Sequence, residues 1–146
     1  MRFMFSRCDC LKKVNAARTD FSKIENMEHM FEWCENLEEI SYISPWNLRK
    51  VKTLKGLFYK CTNLKSIPGM EKWNPVKLEN CEEMFLGCFK NLKRSETSKI
   101  EEWNVSQDIK ESAMRGFNVE NVVLYAFGDN LSGTLNWINK TISNFF

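Results

Sequence analysis

Six cysteines are the residues of this chain best equipped for chemistry, because a thiolate can attack, bind a metal or pair with another thiol. Cys8, Cys34, Cys61 and Cys88 recur at steps of 26, 27 and 27 residues, and Cys81 and Cys10 stand outside that series. One thiol per 27 residues is poor spacing for a metal site, and the single histidine, His29, falls among polar neighbours. Cys8-Asp9-Cys10 is a lone CxC pair near the start. Three readings stay open. The thiols are small buried apolar residues, or they bridge neighbouring repeats as disulfides, or they hold a metal. The first is the expectation, with free thiols at Cys34, Cys61 and Cys88. Reduced thiols favour an intracellular setting.

The other chemistry-bearing groups are carboxylate pairs at Glu38-Glu39, Glu82-Glu83 and Glu101-Glu102. Each lies in a charged run, which reads as a solvated face. No glycine-rich phosphate loop, HExxH or GxSxG phrase accompanies them. The expectation is a protein that is not an enzyme, with no cofactor and no metal.

The elements that would position these residues announce themselves by repetition. Met4-Phe5 returns as Met30-Phe31, Leu57-Phe58 and Met84-Phe85, with the cysteine three residues after each Phe and a leucine beyond it at Leu11, Leu37, Leu64 and Leu92. A period in this range is the mark of a solenoid, whose repeats cannot bury an apolar face alone. Apolar ladders precede each aromatic: Ile24, Met27, Met30, Phe31, Cys34; then Val51, Leu54, Leu57, Phe58, Cys61; then Leu78, Cys81, Met84, Phe85, Cys88. The offsets i, i+3, i+6, i+7 and i+10 predict helices over about 22–34, 49–61 and 76–88. The pairs Leu11 to Val14, Leu37 to Ile40 and Leu64 to Ile67 predict one short strand per repeat. A Trp-Asn phrase at Trp46-Asn47, Trp73-Asn74 and Trp103-Asn104 closes the unit, with Pro45, Pro68 and Pro75 in the connections.

The MF-x-x-C-x-x-L phrase and the Trp-Asn phrase resemble the BspA-like leucine-rich repeats of bacterial surface proteins. The variant they resemble is the 25- to 27-residue type of mycoplasma and other AT-rich bacteria. The likeness covers roughly residues 1–117. It implies an α/β solenoid: a short leucine-rich-repeat horseshoe with parallel strands on one face, helices on the other and a C-terminal helical cap. The family is typically long and secreted, whereas this chain is short and begins without an export signal. The fourth repeat also departs, since Leu78 to Ile109 is 31 residues and Ile109, Ser112, Arg115 and Gly116 carry the ladder poorly, with Phe117 one place late.

A chain of 146 residues suits one domain, burying roughly 68–70 % of its unfolded surface. Residues 1–117 form the repeat region of about four units, the first incomplete. Either the protein starts with half a repeat or an upstream portion is missing. Residues 118–146 read as the C-terminal cap or, alternatively, as an independent interaction helix. Val119 to Phe127 is an apolar run, and Leu131, Leu135, Ile138, Ile142 and Phe145 follow at helical spacing. No apolar run is long enough to span a bilayer, so no membrane insertion is expected.

Net charge is +2, but it is unevenly placed. Residues 1–24 are basic, residues 25–46 carry six glutamates and no lysine or arginine, and residues 47–65 are basic without an acid. Stacked repeats turn these blocks into stripes that attract one another or steer a partner. On the strand face, residues flanking Val14, Ile40 and Ile67 point outward. The candidate partner-binding residues there are Lys13, Asn15, Glu39, Ser41, Ser66, Pro68 and, in the fourth repeat, Arg94. A second patch is the basic stripe of Lys50, Lys52, Lys55 and Lys60. Trp33 and Tyr59, off the apolar ladder, are further anchors.

The expected function is a protein-binding module in the cytoplasm that blocks or modulates a larger protein. A phage-encoded inhibitor of a host defence nuclease, such as a CRISPR nuclease, is one example. The alternatives are a fragment of a bacterial surface adhesin, placed at the cell surface, and a module that binds RNA or a ribonucleoprotein through the basic stripe.

Overall fold

The computed structural model describes residues 1–114, apart from residues 18, 42, 44, 45, 89 and 90 and the side chain of Arg94. The expected cap at 118–146, and Arg115, Gly116 and Phe117, lie outside the described residues. Strand β1 (Lys13–Asn15) pairs in parallel with β2 (Glu39–Ser41), in the register Lys13↔Glu39, Val14↔Ile40 and Asn15↔Ser41. Single parallel bridges continue the order at Glu39↔Ser66, Asn26↔Thr53 and Thr53↔Asn80. Every pairing joins residues 26 or 27 apart. The sequence period is therefore the spacing at which one repeat lies beside the next.

The helices expected over 22–34, 49–61 and 76–88 do not form; these residues run as successive turns. The reason lies in two positions of each repeat. Phe3, His29, Gly56 and Glu83 share one left-handed position, and Arg7, Trp33, Lys60 and Gly87 share a second. A left-handed residue interrupts an α-helix. Hydrogen bonding follows suit. Met30, Glu32 and Cys34 donate to the carbonyls three residues back, at Met27, His29 and Phe31. The intervening amides of Met27, His29, Phe31 and Trp33 instead donate sideways to Thr53, Lys55, Leu57 and Tyr59. The third repeat copies this, with Leu54, Gly56, Phe58 and Lys60 donating to Asn80, Glu82, Met84 and Leu86. Side-chain oxygens of Asn26, Thr53 and Asn80 start each run of turns by accepting the amide two residues on. Turns of this spacing still send residues i, i+3 and i+4 inward, so the helical pattern of the sequence has a different cause.

Inside, like residues stack on like. The rings of Phe5, Phe31, Phe58 and Phe85 lie nearly parallel, with successive centroids 5.3, 5.9 and 5.9 Å apart. A second ladder joins Phe21, Trp46, Trp73 and Trp103 at 4.1, 5.3 and 5.8 Å. Each buried ring removes enough apolar area from water for roughly 2–3 kcal/mol, and stacking adds about 0.5–1.5 kcal/mol per pair. The indoles of Trp73 and Trp103 donate to the carbonyls of Ile43 and Met70 in the preceding repeat. Asn36, Asn63 and Asn91 form an outer ladder, their amides donating to the carbonyls of Asp9, Glu35 and Thr62.

The fourth repeat changes shape where its sequence is irregular. Helix α1 (Arg94–Thr97) is followed by 3₁₀ turns over Ser98–Glu102 and by helix α2 (Gln107–Met114). The backbone of α2 lies against Cys81, whose thiol donates to Ile109 at 2.9 Å. The longer step from Leu78 to Ile109 takes in α1 and the 3₁₀ turns that precede α2.

Candidate functional site

The strand-face candidates come together in part. Lys13, Glu39 and Ser66 form one row across the repeats, and Asn15 and Ser41 a second beside it. Lys13, Asn15 and Pro68 are exposed, whereas Glu39, Ser41 and Ser66 are half-buried. The Ser41 hydroxyl is turned inward to donate to the carbonyl of Val14. Arg94 does not extend these rows as a strand residue, because it opens α1. That helix finishes the edge in another way: the Glu96 carboxylate accepts the Ile67 amide at 2.9 Å and the Lys99 ammonium at 3.0 Å. A carboxylate there does the work of a missing strand.

Two of the four basic-stripe candidates, Lys52 and Lys55, are engaged by carboxylates. Lys52 pairs with Glu25 at 3.2 Å, Lys55 with Glu82 at 3.5 Å, and Lys65 with Glu38 at 2.7 Å, each across a repeat boundary. Arg2 meets Glu28 in the same manner at 3.1 Å. The Lys65 ammonium holds the Glu38 carboxyl below its ordinary range. Lys50 is exposed, and Lys60 lies across Gly87. The charge blocks of the sequence therefore join repeat to repeat before they meet any partner.

A third surface is better built than either. On the turn face the Phe3 ring stacks on His29 at 5.2 Å. His29 meets Tyr59 edge-on at 6.3 Å, and Tyr59 meets Trp33 at 6.2 Å. Arg2 stands 4.9 Å from the Phe3 ring centre, and Lys60 stands 5.9 Å from that of Trp33 and 6.0 Å from that of Tyr59. Arg7, Asp9, Trp33 and Glu35 line a shallow cavity of about 260 Å³ beside it. The left-handed positions create this cluster. They tip the side chains of one repeat over the next, so that a Cβ on Gly56 would lie 2.5 Å from the His29 ring. Trp33 and Tyr59 stand out in the sequence as aromatics off the ladder. Phe3 and His29 gave no such signal, because their left-handed backbone shows in composition only where the equivalent residue is glycine.

The cysteines are interior groups for the most part. Cys34, Cys61 and Cys88 are buried, and each thiol donates to a phenylalanine carbonyl one repeat back, at Phe5, Phe31 and Phe58, over 3.0, 3.0 and 2.8 Å. Burial pushes the Cys34 thiol up to about 11 and moves Cys61 and Cys81 in the same direction. Cys10 is exposed and Cys8 half-buried. Among the described residues no three His, Cys, Asp or Glu side chains gather as metal ligands. The carboxylate pairs are split by structure, Glu38, Glu82 and Glu101 each facing a lysine.

A family model described as Mycoplasma protein of unknown function, DUF285, matches residues 1–122, and the chain belongs to that family. No curated protein and no solved structure matches the chain. Among the described residues no helix is long and apolar enough to cross a membrane.

Proposed function

We propose that this member of the mycoplasma family is a non-enzymatic protein-binding scaffold. In this reading it is a short solenoid of the BspA-like leucine-rich-repeat kind, and its partner docks on the turn face around Trp33 and Tyr59. The observation that carries the reading is the connected surface cluster of Phe3, His29, Tyr59 and Trp33, with Arg2 and Lys60 over its rings. The few residues that dominate binding at protein interfaces are enriched in tryptophan, tyrosine and arginine. The interior is already filled by the Phe and Trp ladders, so these rings are not what closes the core. The basic stripe offers less, since Lys52 and Lys55 each meet a carboxylate. Such a scaffold acts by occupying a surface of a larger protein.

The test is capture from native-host lysate on the immobilised full-length protein, followed by mass spectrometry and repetition with variants. Trp33→Asn keeps a residue that tolerates the left-handed backbone, and Tyr59→Ala removes the second ring. These two are expected to lose the captured partner while the protein stays folded, its melting temperature lowered only by the lost ring contacts. Lys13→Glu and Glu39→Lys on the strand face are expected to keep it. The reverse pattern would move the site to the strand face.

A further inference from the structure

We infer that the shallow cavity beside Trp33 takes an arginine side chain of the protein partner. The inference deepens the turn-face reading and rests on it for the occupant's being part of a protein. Arg7, Asp9, Trp33 and Glu35 line the cavity. Its volume of about 260 Å³ lies below the roughly 300–1,000 Å³ of sites that enclose a small molecule. One long side chain suits that space better than a cofactor does.

The charge and the shape of the lining specify the occupant. Asp9 and Glu35 hold the same place in consecutive repeats, each directly after a ladder cysteine, Cys8 or Cys34. Their backbones are fixed from the following repeat. The Asp9 carbonyl accepts the Asn36 side-chain amide at 2.7 Å, and the Glu35 carbonyl accepts that of Asn63 at 2.8 Å. Two carboxylates thus rise from anchored positions one repeat apart, where like charges repel and a cation between them is attracted. Arg7 is the one cation of the lining, which leaves one negative charge in excess. The half-buried Trp33 indole supplies the apolar wall. It already accepts a cation from the following repeat, the Lys60 ammonium at 5.9 Å from the ring centre. A guanidinium suits this lining better than an ammonium, because it is planar, stacks on an indole and offers paired donors to carboxylates.

The test needs no captured partner. The full chain, labelled with nitrogen-15, is titrated with Nα-acetyl-arginine amide while its indole N–H resonances are followed by NMR. The Trp33 resonance is identified by its loss in Trp33→Asn. The arginine probe is expected to move that resonance saturably and to leave those of Trp46, Trp73 and Trp103, buried in the ladder, in place. The corresponding lysine amide should bind more weakly and the glutamate amide not at all. Asp9→Asn with Glu35→Gln is expected to weaken the arginine probe about tenfold, the loss of one charge-assisted contact. Arg7→Asn, which suits the left-handed backbone there, should tighten it. An unmoved Trp33 resonance overturns the inference, as does equal binding of the glutamate or lysine amide or an unchanged affinity in the double variant. If the probe binds but lysate capture does not depend on Trp33 and Tyr59, the turn-face reading fails and the cation site stands. If capture depends on those rings but the probe does not bind, the cation site alone is lost.

Discussion

The Cys61 thiol donates to the Phe31 carbonyl at 3.0 Å, reaching from one repeat into the one before. The same bond recurs at Cys34 and Cys88. It explains a small residue with a donor at this position, since serine would bury a more polar group and valine would have no donor. Cys61→Ala keeps the size class but loses the bond and leaves a small void. The expected cost is about 1–2 kcal/mol, measured by urea unfolding. A variant as stable as the parent would mean that the thiols only fill space.

Burial raises the Cys34 thiol from 9.0 to about 11, and Cys61 and Cys81 shift the same way. The unfolded chain ionises these thiols first. The stability they contribute is fully present below about pH 9 and is lost as pH climbs toward about 11. Melting temperature followed from pH 7 to pH 11 should be flat and then fall over that window. Cys34→Ala should make the fall shallower. An unchanged slope in the variant would show that other groups govern alkaline unfolding.

Gly56 sits at φ +57 beneath the His29 ring, and an added Cβ would come within 2.5 Å of it. Gly56→Ala is expected to cost about 1–2 kcal/mol for the left-handed backbone, plus the clash. His29→Ala removes the obstacle. The double variant should therefore be more stable than the sum of the two single losses predicts, which a double-mutant cycle reads directly. Simple additivity would mean that the ring moves aside freely.

Trp73 and Trp46 are stacked and both buried, yet they differ in one bond. The Trp73 indole N–H donates to the Ile43 carbonyl at 3.0 Å, while that of Trp46 has no acceptor among the described residues. Trp73→Phe should cost about 1 kcal/mol more than Trp46→Phe in chemical denaturation. Equal losses would place the cost in packing alone.

The periodic part of this architecture was legible in the residues. Phe5, Phe31, Phe58 and Phe85 are aligned by spacing and stack in space, and the register Lys13↔Glu39 follows from the same count. The alternation of acidic and basic blocks reappears as Lys52–Glu25 and Lys65–Glu38 pairs. The local backbone differs from the helices that the spacing predicts. Met27, Met30, Phe31 and Cys34 have helical spacing, but chained turns produce it equally well. Six of the eight left-handed positions hold residues other than glycine, among them Phe3, Trp33 and Glu83, so composition conceals them. The Asn before Leu37, Leu64 and Leu92 was a repeated signal too, and it marks the outer amide ladder. The turn-face cluster could not be read from spacing because it depends on those left-handed positions, which bring Phe3 over His29.

The most direct test of the binding account is amide hydrogen exchange on the full chain, with and without the captured partner. Residues 29–35 and 56–62 should exchange more slowly in the complex, while 13–15 and 39–41 should be unaffected. Protection confined to the two strands, with the turn face unchanged, would contradict the account.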